Sequence, residues 1–187
     1  MKVPGLRTIQ ALLKINWAYL PLYYIQIFLN LLPNDEVFRT LRAFFLKLLG
    51  LQIGQNSRFG KDVFVLNYAN LVIGKNTDVS NQVYFACYKK ILIGMGCNIG
   101  YRSCFITGSH NVESDFMRGR PIDEKNSLPI VIEDFVWIGA NVTILPGIRV
   151  GRGSVVEACS LVTADVEENS IFSGVPAKKI ASLKLLK

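Results

Sequence analysis

The sequence predicts a mainly β fold, a parallel β-helix of about five coils, from three observations: an apolar series at a spacing of six, glycines that follow it, and interruptions at one phase. From Ile132 the series reads Ile132, Ile138, Ile144, Val150, Val156 and Val162. Upstream it reads Ile53, Phe59, Val65, then Ile73, Val79, Phe85, then Ile93, Ile99, Phe105. An amphipathic helix recurs at three and four residues and a half-buried strand at two, so a period of six marks a repeat instead. Glycine follows the apolar position at residues 54, 60, 74, 94, 100, 139 and 151.

Six residues suit one flat side of a prism: a strand of about four residues, then a two-residue corner where Gly, Asn or Asp accepts an unusual dihedral. Three sides close a coil, and coils stack at roughly 4.8 Å, pairing backbone N–H with C=O of the next coil. Every sixth side chain then points inward. The spacing jumps to eight between Val65 and Ile73 and between Phe85 and Ile93, and to twenty-seven between Phe105 and Ile132. Each jump follows the third side of a coil, so all three insertions leave one edge, the long loop of about 107–129 stacked on two short ones. Long loops on a rigid repeat scaffold are usually binding elements.

The 187 residues fit one compact domain plus an appendage, and half are apolar, enough for a continuous core. Cys87, Cys97, Cys104 and Cys159 show neither CxxC nor zinc-finger spacing and lie inside the repeats, which reads as buried thiols in a reducing compartment.

Residues 1–50 differ in kind and form a helical appendage. The segment 17–32 (WAYLPLYYIQIFLNLL) is interrupted by Pro21, Gln26 and Asn30 and is shorter than a bilayer span of about 20 residues. Asn34 is placed to cap a second helix over 35–49 with Val37, Phe38, Leu41, Phe44, Phe45 and Leu48 on one face and Gly50 after its end. Six basic against two acidic side chains in this region admit two readings. The helices pack on the prism or a neighbouring subunit, or their apolar face makes peripheral contact with an anionic membrane. No cleavable signal is evident, so the expected location is cytoplasmic, at the inner face of the membrane if the second reading holds. The basic surplus on apolar helices, without an aromatic-basic platform, argues against nucleic acid.

His110, the single histidine, opens the long loop in Phe105-Ile-Thr-Gly-Ser-His-Asn, just past the last inward residue of the third coil. Imidazole titrates near neutrality, so it is able to take a hydroxyl proton as that oxygen attacks a thioester and pass it to the departing thiolate.

The TGSH sequence at 107–110, the insertion after it, IVIEDFVWIGANVTILPGIRVG at 130–151 and Gly174-Val175-Pro176-Ala177-Lys178 resemble the hexapeptide-repeat acyltransferases, especially bacterial polysaccharide O-acetyltransferases of the colanic-acid type. The resemblance covers roughly 51–181. It implies a left-handed helix, an exception to the usual right-handed crossover, over a domain at 51–175. It also implies a homotrimer, acetyl-CoA as co-substrate in the groove between prisms, a saccharide acceptor, no tightly bound cofactor, and His110 as general base.

By the same resemblance the backbone amides of Ala140 and Ala158, one coil apart and with Gly139 beside the first, hold the pantetheine arm. Trp137 walls that arm, or else is an aromatic at the trimer seam. Thr163, Lys178 and the adjacent Lys179 meet the CoA phosphates, a solvated lysine being the ordinary alternative. Several positions depart from the pattern. Ala140 stands where relatives carry Ser, so oxyanion help falls to a backbone N–H. Ala164 stands where many have Lys or Arg, and Asn111 where colanic-type relatives have Asp. Asn81 lies beside the slot, Ser80, of an Asn used by several sugar acetyltransferases. Glu113, Asp115, Arg118 and Arg120 are further loop residues within reach of an acceptor.

The tail 176–187, with Ile180, Leu183 and Leu186 three apart, reads as a short capping helix. The function expected first is an acetyl-CoA-dependent O-acetyltransferase acting on a sugar hydroxyl of a surface polysaccharide or its precursor. Alternatives on the same fold are an N-acetyltransferase of an amino-sugar nucleotide, an antibiotic acetyltransferase, and a non-catalytic assembly subunit. A carbonic anhydrase needs three histidines for zinc, and this chain has one.

Overall fold

The structure is a computed structural model that describes residues 20–111 and 122–184. It contains two compact units, one ending at Pro33 and one beginning at Asn34. The first contributes the helix α1, Leu20–Leu31, which is 12 residues long. No helix among the described residues is long and apolar enough to cross a membrane.

In the second unit a helix, α2 (Glu36–Leu48), leads into five coils. The first coil is Gln52–Ile53 (β1), Arg58–Phe59 (β2) and Phe64–Val65 (β3), and the second is Leu71–Ile73 (β4), Asp78–Val79 (β5) and Tyr84–Ala86 (β6). The third is Ile91–Ile93 (β7), Asn98–Ile99 (β8) and Cys104–Ile106 (β9), and the fourth is Ile130–Ile132 (β10), Trp137–Ile138 (β11) and Thr143–Ile144 (β12). Arg149–Val150 (β13), Val155–Val156 (β14) and Leu161–Val162 (β15) make the fifth. A partial sixth turn bridges Val166 to Val150 and sets Ser170–Gly174 (β16) parallel to β14.

The strands stack into three faces: β1-β4-β7-β10-β13, then β2-β5-β8-β11-β14-β16, then β3-β6-β9-β12-β15. All pairs within the five coils are parallel, giving the left-handed β-helix that the resemblance implied. Coil strands are only two or three residues long, shorter than expected, because corners take the rest of each side.

All fifteen positions of the six-residue series are buried. Burying such a side chain contributes about 1.5–3 kcal/mol, so these columns dominate the stability of the prism. Phe85 and Phe105 stack with ring centroids 5.0 Å apart within one column. A second inward column lies two residues before the first: Ser57, Val63, Thr77, Val83, Cys97, Ser103, Val136, Val142, Ile148, Ser154 and Ser160 are also buried. Its hydroxyls reach carbonyls of the next coil, Ser57 to Gly74 at 2.7 Å, Thr77 to Gly94 at 2.8 Å and Ser103 to Gly139 at 2.9 Å. Buried polar groups so satisfied carry little penalty.

The corners are left-handed. On the first edge, between faces one and two, Asn56, Asn76, Gly96, Phe135, Gly153 and Asn169 have φ between +51° and +66°. On the second edge Asp62, Gln82, Arg102, Asn141 and Cys159 have φ between +55° and +62°. Phe135 is the outlier, since bulky side chains disfavour this region. Its ring sits where a Cβ on Gly96 would come within 2.6 Å, and the Arg152 guanidinium lies over the ring, 5.1 Å from its centroid.

Helix α2 begins at an N-cap that is Asp35, whose carboxylate accepts from Phe38 N at 3.0 Å, and not Asn34 as expected. Asn34 instead accepts from Arg42 Nη1 at 3.2 Å. Gly50 follows the helix at φ +98°, as expected. The buried face also differs from expectation: Arg42, Ala43 and Leu46 turn inward, while Val37, Phe44 and Leu48 are 72, 55 and 66% exposed. The cause is an ion-pair cluster on the first two coils, in which Arg39 pairs with Asp78 and Arg58 with both Glu36 and Asp78. Arg42, only 2% exposed, also points at Phe59 O, and burial, with Arg39 second, holds its guanidinium below the usual arginine range. Ala43 and Leu46 join the core with Leu51, Ile53 and Phe59. Helix α2 is therefore an end cap of the solenoid, and it belongs to the same compact unit as the coils.

The described part of the tail, up to residue 184, is not a helix, and Leu186 lies outside the described residues. Ala177–Ser182 (β17) pairs antiparallel with β16, from Gly174↔Ala177 to Ser170↔Ser182. The hairpin gives the second face an additional strand, and its backbone pairing outweighs the three-residue spacing of Ile180 and Leu183. Three cysteines follow expectation to different degrees. Burial pushes Cys87 up to about 12 and Cys97 to about 11, and raises half-buried Cys104. Cys159 departs from it, being exposed at a left-handed corner.

Candidate active site

The third edge, where face three returns to face one, carries all the insertions, as the spacing predicted. The first, 66–70, contains a short 3₁₀ turn, Tyr68–Asn70. Asn70 Nδ2 donates to Cys87 O at 3.0 Å and Tyr88 O at 3.1 Å, tying it to the second. The second is tied to the third by Thr107, fully buried, whose hydroxyl donates to Ala86 O at 2.8 Å and accepts from Lys89 N at 2.8 Å. Three stacked loops thus make one ledge.

His110 stands exposed on that ledge. Its backbone forms an antiparallel bridge with Ile122, where the loop returns. Next to it Asp123 N donates to Ser109 O at 2.8 Å, and Ser109 N donates to Ser127 Oγ at 3.0 Å. The returning segment is itself an Asx turn: the Asp123 carboxylate accepts from Lys125 N, Asn126 N and, at 2.7 Å, Asn126 Nδ2. Those bonds, the Asn126 side chain first, hold the Asp123 carboxyl below its usual range. Glu124 then reaches across to the second loop, accepting from the Tyr88 hydroxyl and from Lys89 Nζ at 2.6 Å. Its pKa is lowered by Lys89 first and Tyr88 second, and those of both donors are raised chiefly by their bond to Glu124.

Sequence reasoning missed Tyr88, Lys89, Asp123, Glu124 and Ser127. The eight-residue jump already puts Tyr88 and Lys89 on the edge of residue 107, and Asp123 three residues before Asn126 has the composition of an Asx turn. Glu113, Asp115, Arg118 and Arg120 lie outside the described residues. Asn81 proves to be a staple on the second edge, its Oδ1 accepting from Lys61 N at 2.9 Å.

The other candidates sit elsewhere on the prism. Ala140 and Ala158 are stacked in successive coils at the second edge, where Cys159 N donates to Ala140 O at 2.8 Å. Gly139, buried, permits that stacking, since a Cβ there would meet Ala158 N at 2.5 Å. Trp137 stands on the outer surface of face two, 56% exposed, in register with Asn98 and Val155. Thr163 is exposed after β15, and Lys178 and Lys179 are exposed on β17. Lys179 Nζ lies 2.6 Å from Glu167 Oε2, so it already has a carboxylate partner. Within one chain Gly139, Ala140 and Ala158 come together, but His110 belongs to a different edge. Among the described residues no group of three or more His, Cys, Asp or Glu is placed to hold a metal ion.

Residues 129–164 match the family described as bacterial transferase hexapeptide (six repeats). The tetrahydropyridine-2,6-dicarboxylate N-acetyltransferase of Staphylococcus aureus is 48% identical over 59 residues, which is 32% of this chain and 25% of that protein. The chain thus spans about a quarter of that relative's length. The hexapeptide-repeat acetyltransferase of Vibrio cholerae is 30% identical, with a TM-score of 0.73 over 86% of this chain and 88% of that one. Its structure has also been solved with acetyl coenzyme A. A maltose O-acetyltransferase of Clostridium difficile is 25% identical, with a TM-score of 0.76 over 87% of this chain and 84% of that one. Aligned at 30% identity over nearly the whole length of the Vibrio protein, the chain belongs to the hexapeptide-repeat acetyltransferases.

Proposed function

We propose that the chain transfers an acetyl group from acetyl-CoA to a saccharide hydroxyl, of a surface polysaccharide or its precursor, with His110 as general base. The observation that carries this is the only histidine of the chain standing exposed on a ledge built from three loops, in a fold whose Vibrio relative binds acetyl coenzyme A. The sugar oxygen attacks the thioester carbonyl carbon while imidazole takes its proton. The tetrahedral intermediate then expels the thiolate, the C–S bond breaks, and imidazolium returns the proton to sulfur. The products are an acetyl ester and free coenzyme A.

His110 on the third edge and Ala140 with Ala158 on the second reach one donor only when two copies lie side by side, so the reading includes a homotrimer with the donor in the groove between prisms. There Trp137 flanks the pantetheine arm, a backbone N–H near Ala140 stabilises the oxyanion, and Thr163 and Lys178 meet the phosphates. Lys179 contributes less, because Glu167 competes for its charge. The exposed Val37, Phe44 and Leu48 support peripheral contact of the N-terminal region with the inner face of the membrane. Arg39 and Arg42 take no part in that contact, since one pairs with Asp78 and the other is buried.

The Clostridium relative's action on maltose favours a sugar hydroxyl. The Staphylococcus relative, an N-acetyltransferase, favours a second reading in which an amine accepts the group. Purified protein with acetyl-CoA and a panel of glycans and amino sugars, followed by thiol release and mass spectrometry of the product, separates them. Release with hydroxyl-only glycans is expected, and release with amines alone overturns the O-transfer reading.

A further inference from the structure

We infer that Glu124 is a positioning residue for His110, a clasp that fixes the ledge from outside rather than a group that touches substrate. The inference rests on His110 being the base. Two sets of bonds meet at the segment 122–127. One faces inward to the histidine strand: the bridge of Ile122 with His110, Asp123 N to Ser109 O, and Ser109 N to Ser127 Oγ. The other is the Glu124 carboxylate, which gathers the Tyr88 hydroxyl and the Lys89 ammonium from the second loop. Lys89 is in turn held by its backbone N–H to Thr107, three residues before His110. The chain of bonds is therefore closed: 107 to 89, 89 to 124, 124 through 123 to 109.

The energetics separate positioning from bulk stability. The Lys89 and Glu124 side chains are 36 and 65% exposed, and exposed pairs contribute little to global unfolding. Glu124 nevertheless joins the returning segment to the second loop, and such a segment opens at a free energy well below that of the core. Loss of the clasp should therefore loosen the imidazole's footing while leaving the prism intact. A displacement of about 1 Å at a catalytic base is enough to cost up to about a hundredfold in rate.

The test uses the full chain with Glu124→Ala, Tyr88→Phe and the double variant. Hydrogen exchange at the Ser109, Asp123 and Ser127 amides is expected to rise about tenfold in Glu124→Ala, with core amides and Tm unchanged. In parallel, kcat for thiol release from acetyl-CoA, with water and with maltose as probe acceptors, is expected to fall about thirtyfold while KM for acetyl-CoA stays within about twofold. The double variant should be no worse than Glu124→Ala, because both act through one bond. Unchanged exchange, equal loss of protection throughout the chain, or undiminished kcat for both acceptors overturns the clasp. Should Glu124→Ala fail to fold, the clasp as a purely local device is overturned, and Tyr88→Phe still reads the exchange. His110→Ala is run beside them, and activity retained there overturns the base reading without bearing on the exchange result.

Discussion

The second and third edges of the prism turn the same chain through the same angle by opposite means. On the second, each corner is made by one left-handed residue, and backbone bonds such as Cys159 N to Ala140 O do the holding. On the third, the repeat is interrupted, and side chains hold what the backbone no longer does: Asn70, Thr107, Asp123, Glu124 and Ser127 tie loop to loop. Where the repeat is unbroken, backbone bonds between coils are joined by single side-chain staples such as Asn81 Oδ1 to Lys61 N. Where it is broken, a run of side chains ties one loop to the next, and that is where the histidine stands.

The contrast is broken most severely at His110. His110→Ala is expected to lower kcat for acetyl transfer by about 10³-fold, in the range of general-base loss, with Tm unmoved because the residue is exposed. Steady-state kinetics beside a thermal melt checks both halves. Inside the prism the order reverses: Phe105→Ala removes one of two stacked, fully buried rings and should cost about 3–5 kcal/mol in urea unfolding. Ser103→Ala leaves Gly139 O without its hydroxyl partner and should cost about 1–3 kcal/mol by the same measurement.

The smallest effect is that of acid on the third edge. The folded Asp123 and Glu124 carboxyls titrate below their ordinary range, so their contribution is complete above that range and is lost progressively as pH falls from it through the depressed values. Amide protection at Ser109 and Asp123 should stay level from neutrality down to the usual carboxylate range and then fall, before that of the core does. Protection of these amides that persists until the core itself opens would remove the distinction between the edges.

What was legible in advance follows the same division. The fifteen inward residues could be read because a period of six has no other simple cause, and the shared phase of the insertions placed the ledge. The second inward column escaped notice because Ser57, Thr77 and Ser103 look like solvent-facing residues until a neighbouring coil supplies their acceptors. The face of α2 was misjudged for a related reason: Arg39 and Arg42 find anions and carbonyls on the first two coils that no helical wheel contains. The tail failed because spacing of three in a short apolar segment does not separate a helix from an edge strand. The Glu124 clasp joins residues 35 and 36 positions apart, a distance that local pattern does not reach.

Phe135 has a consequence for assembly of the solenoid. Stacked turns of near-identical length invite slippage, in which one turn seats on the wrong neighbour with all hydrogen bonds intact. The phenyl ring at that corner would have to shift for any side chain beneath it, and Gly96 carries none, whereas the corner one turn earlier is Asn76. A strained aromatic thereby acts as a notch in an otherwise repetitive staircase, admitting the correct alignment and rejecting the copy shifted by one step.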